Sequence, residues 1–114
     1  MRTIMLAVLL VLVPLQVRAE FLSGNDLVQY MREADKANAS HPQASYFDVG
    51  NYMGFVVGVF DAYSTARLIC PSSGVTKGQV MEIVSMYLKS NPTKWNLSAV
   101  SLVRNAFTSA FPCR

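Results

Sequence analysis

The chain has 114 residues, with ten lysines and arginines, seven aspartates and glutamates, and a formal net charge of +3. Arg2 and Arg18 lie in an amino-terminal segment that we expect to be removed, which leaves eight basic residues against seven acidic ones. This near-neutral balance argues against a partner that is a nucleic acid or an anionic membrane. The remaining length suits one domain with a modest core.

The amino-terminal nineteen residues have the features of a cleaved signal peptide. Arg2 precedes an apolar run of 12 residues over 4–15, and Val17 and Ala19 occupy the −3 and −1 positions of a cleavage site. The run is shorter than the roughly 20 residues that a membrane span needs. We therefore predict residues 1–19 as a signal peptide and residues 20–114 as one exported domain. An uncleaved membrane anchor is the alternative.

Cys70 and Cys113 are the two cysteines of the chain. Two cysteines in an exported protein most simply pair with each other, so we predict a Cys70–Cys113 disulfide. Closing so long a loop stabilises a chain by about 4 kcal/mol, because it restricts the unfolded state. A zinc site is the weaker alternative, since two thiols and the lone His41 do not complete a set of four ligands.

Four segments have apolar residues at helical spacing, and none alternates for long enough to indicate a sheet. The sequence therefore predicts an all-α fold, a compact bundle of four main helices closed by one disulfide. The first helix is predicted over 25–37, after a start at Ser23-Gly24-Asn25, and a loop over 38–45 follows it. Its buried face is predicted to comprise Leu27, Val28, Met31 and Ala34.

The second helix is predicted over 44–68 and is the most apolar. Its section 52–63 has enough β-branched residues for a strand, but its length favours a helix. Small residues fall at every fourth position, which on a helix makes one row that another backbone can approach closely. We predict that this row packs against a helix of the same chain or of a second copy, and a chance spacing is the alternative. The row consists of Gly50, Gly54, Gly58, Ala62 and Ala66.

The third helix has the clearest start, because Thr76 and Gln79 match a capping box and Asn91-Pro92 stops the helix. Its stripe is predicted to comprise Val80, Ile83, Val84, Tyr87 and Leu88. The fourth helix is predicted over 97–110. Its inner face is predicted to comprise Ala99, Leu102, Val103, Ala106 and Ala110, with Phe107 beside them.

No arrangement of residues indicates catalysis. His41, the single histidine, lies beside a proline in a polar loop, where no activated nucleophile is at hand. Asp48 and Asp61 are 13 residues apart on one predicted helix, about 20 Å of rise, so they cannot act as a pair. Asp61 is interpreted as a polar helix edge rather than a functional acid. We predict a binding protein with no catalytic residues, no metal and no cofactor.

The connection over 91–96 is short and polar, yet it carries the single tryptophan. Trp95 either packs back onto the core, which is the commoner fate of an indole, or serves as an exposed aromatic anchor. We predict that this turn binds a partner, and that the loop over 71–76 is the alternative contact. The predicted contact residues are Asn91, Lys94, Trp95 and Asn96.

Several spaced motifs resemble those of one family. The run Gly54-Phe55-x-x-Gly58-x-x-Asp61-Ala62 is similar to its Gly-aromatic-x-x-Gly-x-x-Asp-Ala motif. Cys70-Pro71 followed by Gly74-Val75-Thr76-x-x-Gln79 resembles its Cys-x-Pro-x-Gly-Val-Thr-x-x-Gln segment, with the Cys-Pro spacing one residue shorter. Phe21-x-x-Gly24-Asn25-x-Leu27 and the terminal Phe111-Pro112-Cys113 continue the likeness. The family is the Rap/Tai type of periplasmic immunity protein, and the resemblance covers about residues 21–113.

The resemblance implies an all-helical protein of the periplasm that often dimerises. It also implies a protein partner, a secreted cysteine amidase of type VI secretion, whose active site the immunity protein occludes. Family members commonly carry a further cysteine pair, in whose places this chain has Met31 and Asn51 or a close neighbour. The alternative function is a small periplasmic acid-stress chaperone of the Hde type, which is also helical, secreted and closed by one disulfide.

Overall fold

The computed structural model describes residues 20–114, and the predicted signal peptide lies outside this range. Within it the chain forms four α-helices and one short 3-10 helix. They are α1 (Gly24–Asn38), α2 (Tyr46–Thr65), α3 (Lys77–Ser90), the 3-10 helix (Pro92–Lys94) and α4 (Ala99–Ala110). The predicted bundle of four main helices is confirmed. None of these helices has the length and apolar character needed to cross a membrane.

A single apolar core lies between the helices, with α1 and α3 each packed against α2 and α4. The predicted inner faces of α1 and α4 are buried, except that Ala110 in the last turn of α4 is exposed. In α3 the stripe is narrower than predicted, since Ile83 and Tyr87 are only partly covered. The largest fully buried side chains are Tyr52, Phe107, Leu27, Ile69, Leu88 and Leu102.

Each of the four α-helices begins at a hydroxyl side chain that accepts a backbone N–H of the first turn. The predicted capping box of α3 is confirmed, because Thr76 Oγ1 accepts from Gln79 N at 3.2 Å and Gln79 Oε1 accepts from Thr76 N at 2.8 Å. Ser23 and Asp26 form a second reciprocal box at α1. Such boxes satisfy N–H groups that the helix itself leaves unpaired.

The second helix ends at Thr65, three residues before the predicted end. Arg67 takes a left-handed conformation with φ 57°, and Leu68 N donates to Tyr63 O at 2.9 Å. This is the Schellman arrangement, which usually places glycine where Arg67 lies. The helix ends early because the backbone turns at a residue that gives no stop signal in the sequence. α1 ends in the same way, with Ser40 at φ 54°.

The predicted disulfide is confirmed, since Cys70 and Cys113 are bonded with their Cα atoms 4.9 Å apart. Beside it, Cys70 N donates to Phe111 O at 3.0 Å. The Phe111 ring packs edge-on against Phe60, with 5.7 Å between ring centroids. The bridge therefore ties the carboxyl-terminal segment to the connection that follows α2.

Two carboxylates that hold α1 in place predict how stability depends on pH. Asp26 accepts from the backbone N and the hydroxyl of Ser23 at 3.0 and 2.9 Å, which lowers the pKa of Asp26. Glu33 accepts from Lys36 Nζ at 2.8 Å and from Ser45 N at 2.9 Å, which lowers the pKa of Glu33. A carboxylate whose pKa is lower in the folded state stabilises that state above its ordinary pKa.

We therefore expect the free energy of unfolding to decrease as the pH falls below about 4.5, through the ordinary carboxyl range and toward the folded-state pKa values. Urea denaturation at a series of pH values measures this slope. Asp26→Asn and Glu33→Gln should each flatten it, because neither amide can be protonated in this range. Slopes that match the wild type in both variants would contradict the assignment.

Candidate partner-binding site

The predicted partner-binding turn, residues 91–96, is a compact structure built around the 3-10 helix; we call it the α3–α4 turn. The side-chain amide of Asn91 donates to Tyr87 O at 2.8 Å, which closes the end of α3. Pro92 begins the 3-10 helix, and Leu97 N donates to Lys94 O at 3.0 Å on the way to α4. The backbone of the turn is thus hydrogen-bonded at both ends.

Trp95 is half-buried and packs against the core. Its indole Nε1 donates to Leu88 O at 2.8 Å, in the last turn of α3. The guanidinium carbon of Arg32 lies over the indole ring, 5.6 Å from its centroid. Of the two fates considered for Trp95, the structure favours packing onto the core, and the indole ties the turn to α1 and α3.

Gly24 allows the start of α1 to approach this turn closely. A Cβ at Gly24 would lie 2.5 Å from Trp95 O and 2.9 Å from Trp95 Cα, both backbone atoms. Gly24 N donates to Leu97 O at 2.7 Å, and Ala99 N donates to Leu22 O at 2.9 Å, so the entries to α1 and α4 are joined. The sequence marks Gly24 only as part of a helix start, because a contact between distant segments leaves no local signal.

Within the α3–α4 turn, the four predicted contact residues divide into two kinds. Asn91 and Trp95 are partly buried, and their side chains hold the turn against α3. Lys94 and Asn96 are exposed. Of these four residues, one cationic and one amide side chain are therefore exposed, on a backbone that the other two hold against α3.

The alternative loop over 71–76 is also held at both ends, by the disulfide and by the capping box at Thr76. Its tip is exposed at Ser72, Ser73 and Gly74, and Gly74 adopts φ 90°. This φ lies in the left-handed region that glycine adopts without strain. The loop therefore offers small hydroxyl side chains, whereas the α3–α4 turn offers a cation and an amide.

Comparison with known proteins places the chain in a family. The family model described as Rap1a immunity proteins matches residues 23–113. The chain belongs to the Rap1a immunity protein family. The match runs from the cap of α1 to the second cysteine of the disulfide, so it spans all four helices. No curated protein and no solved structure matched the chain.

The Rap1a match confirms the resemblance of the motifs and makes this chain an immunity protein of type VI secretion, whose partner is a protein effector. Two residues considered for other chemistry, His41 and Asp61, both lie at the surface. His41 is exposed, and its Nδ1 accepts from Gln43 N at 3.1 Å. Asp61 is exposed on α2, as its interpretation as a polar edge requires. Residues 20–114 contain no group of three or more His, Cys, Asp or Glu side chains that could hold a metal ion.

The small-residue row of this Rap1a protein faces away from the core. Gly50, Gly54, Gly58 and Ala62 are exposed, and a Cβ at any of the three glycines would meet no atom within 4 Å. The alternative that the row packs against a helix of the same chain is therefore wrong. The reason is that α2 turns a different face, with Tyr52 and Val56, to the core. The alternative of a face between two copies stays a prediction.

A buried polar contact that sequence analysis missed joins α2 to α3. The Tyr52 hydroxyl lies 3.0 Å from Met81 O and 2.5 Å from Ser85 Oγ. Burial raises the pKa of Tyr52 well above its usual range. Since each hydroxyl has a partner, and no buried side-chain N or O of residues 20–114 lacks one, this contact serves packing.

Gly24 gives the sharpest test of how the turn is held. We expect Gly24→Ala to destabilise the protein by about 1–3 kcal/mol or more, because the added methyl group meets backbone atoms that cannot rotate away. The measurement is urea denaturation followed by the fluorescence of Trp95. The matched control is Gly78→Ala in α3, where a Cβ would have only the Thr76 hydroxyl nearby, at 3.9 Å. Gly78→Ala should leave the free energy of unfolding unchanged or raise it. An equal loss of stability in both variants would contradict the contact between Gly24 and Trp95.

Proposed function

We propose that this Rap1a immunity protein acts in the periplasm, where it binds and inhibits a peptidoglycan amidase effector of type VI secretion and so protects the cell that makes it. The observation that carries the proposal is the family match over all four helices. The signal-peptide features of residues 1–19 support export, and the motif resemblance supports an amidase as the effector. The same match favours this function over the Hde-type chaperone alternative.

Inhibition by occlusion needs a protrusion that keeps its shape. A segment that is ordered before binding loses little conformational entropy when it enters a cleft. The α3–α4 turn meets this requirement, because Trp95 and Asn91 fix it to α3 and Gly24 lets α1 support it. Lys94 and Asn96 are exposed and can donate hydrogen bonds to an enzyme. We therefore place the effector contact on this turn.

The function is tested by inhibition. Residues 20–114 should stop peptidoglycan hydrolysis by one member of a panel of purified type VI amidase effectors. Inhibition should occur at a stoichiometric ratio, and the immunity protein should stay folded in the complex. If every active amidase of the panel keeps its activity when the folded protein is in excess, the result would count against an amidase as the target.

The contact surface is tested on the amidase that is inhibited. We expect the double variant Lys94→Ala/Asn96→Ala to weaken binding by about 2 kcal/mol, the size of an interface hot spot, with unfolding unchanged. The matched control is Ser72→Ala/Ser73→Ala in the other loop, which should bind like the wild type. The reverse result would assign the contact to the loop over 71–76. Trp95→Ala is less informative, because it also removes the hydrogen bond to Leu88.

We also propose that the exposed row on α2 is a dimer face. Tyr46 and Phe47 beside it are 72% and 79% exposed, and Asp48 is the one charged residue between positions 46 and 60. Glycines on a helix allow a second helix to approach closely, and a two-fold axis would bring the same row from both copies together.

Gly54→Leu separates dimerisation from folding. The leucine should block the approach of a second backbone, while the monomer keeps or gains up to about 1 kcal/mol of stability, since leucine is the better helix former and a Cβ at this position meets nothing within 4 Å. Analytical ultracentrifugation should then show a wild-type dimer and a monomeric variant. A wild type that sediments as a monomer at every concentration would overturn the dimer.

A further inference from the structure

Arg32 has an unusual place beside the α3–α4 turn. It is exposed on α1, and its guanidinium lies over the Trp95 ring. Two ion pairs are present within residues 20–114, Lys36–Glu33 at 2.8 Å and Lys89–Asp35 at 2.9 Å, and neither includes Arg32. Arg32 is thus held in position by an aromatic ring, and no carboxylate of the described chain is paired with it.

A guanidinium over an aromatic face keeps its hydrogen-bonding capacity. The ring attracts the cation through its π electrons, while the five N–H donors lie in the guanidinium plane and stay available at its edge. A planar set of donors matches the two oxygens of a carboxylate. Holding the side chain in place beforehand lowers the entropy that such a bond costs.

The charges around Arg32 favour an anion from outside the chain. Asp35, one turn along α1 from Arg32, is already engaged by Lys89. Lys94, next to Trp95 in the sequence, is exposed and takes part in neither ion pair. Arg32, over the Trp95 ring, and Lys94, next to Trp95 in the sequence, are therefore two cations that neither ion pair of the described chain neutralises.

We propose that Arg32 and Lys94 form a carboxylate-recognition site above Trp95, and that the effector meets it with an aspartate or glutamate side chain. The proposal rests on the α3–α4 turn being the effector contact, as proposed above. It adds a residue of α1 to the binding surface and gives the partner a chemistry, since the complementary patch on the effector is acidic. Charge pairing of this kind raises association rates and fixes the orientation of the complex.

The first test needs no effector, because Trp95 is the single tryptophan and reports on this site alone. The probe is a short peptide with blocked ends, Gly-Glu-Glu-Gly, compared with Gly-Gln-Gln-Gly at the same ionic strength. We expect a saturable change in Trp95 emission with the glutamate peptide only, and a weaker one as salt is added. Arg32→Gln should abolish it. Arg32→Lys keeps the charge but not the planar donors, and should weaken binding by about fivefold or more.

Arg104→Gln is the matched control, because Arg104 is also exposed but lies on α4. This variant should behave like the wild type. Equal responses to the two peptides, or a glutamate response that Arg32→Gln leaves intact, would overturn the recognition site. Equal unfolding curves for the arginine variants and the wild type ensure that the comparison concerns binding.

The second test uses the amidase that the protein inhibits, and it distinguishes this proposal from the proposed function. Arg32→Gln should weaken amidase binding by about tenfold, mostly through a slower association at low salt. An inhibited amidase that binds Arg32→Gln as tightly as the wild type would overturn the proposal and leave the function in place. A glutamate response that depends on Arg32, with no amidase inhibited, would support the site and count against the amidase.

Discussion

The contact between Gly24, the first residue of α1, and the backbone of Trp95 determines the geometry of the α3–α4 turn, the proposed binding surface. Gly24 has no side chain, so the carbonyl oxygen and Cα of Trp95 can lie where a methyl group would otherwise be. The hydrogen bond from Gly24 N to Leu97 O fixes the same junction from the other side. Because the turn is held here, the indole reaches Leu88 O on α3 and lies beneath Arg32 on α1.

This arrangement separates the residues that hold the turn from those that a partner can reach. Asn91 and Trp95 use their polar side-chain atoms inside the chain, whereas Lys94 and Asn96 are exposed. A substitution at the first pair therefore acts on stability and on shape together. A substitution at the second pair should leave the fold unchanged, which is why the proposed contact is better tested at Lys94 and Asn96 than at the tryptophan. Rigid support of a short exposed segment is what an inhibitor needs, since ordering the segment on binding would reduce affinity.

Sequence patterns predicted the features that depend on neighbours along the chain, which are the four helices and the capping box at Thr76. The pairing of Cys70 with Cys113, 43 residues apart, was predicted for a different reason, because the chain has two cysteines. They missed the end of α2, because Arg67 adopts a left-handed conformation that its side chain does not favour. They also missed Gly24 against Trp95 and Tyr52 against Ser85, since each pair joins segments far apart in sequence. Helical spacing showed that the glycines of α2 share one face, but it did not show that this face is exposed, because the remaining face of α2 is equally apolar.

Glycine has opposite effects at the buried start of α1 and on the exposed face of α2. At Gly24 the missing methyl group is required by the chain itself, because backbone atoms occupy its place. At Gly50, Gly54 and Gly58 nothing within 4 Å requires it, and each glycine weakens an isolated helix by up to about 1 kcal/mol relative to alanine. In a monomer, no contact compensates for this loss of helix stability. A second helix that approached the row closely would offset it, and the apolar surroundings of the row suit the second copy of α2 in the proposed dimer. The three exposed glycines are therefore a stronger argument for a dimer than the apolar side chains beside them, since exposed apolar residues are common on monomers.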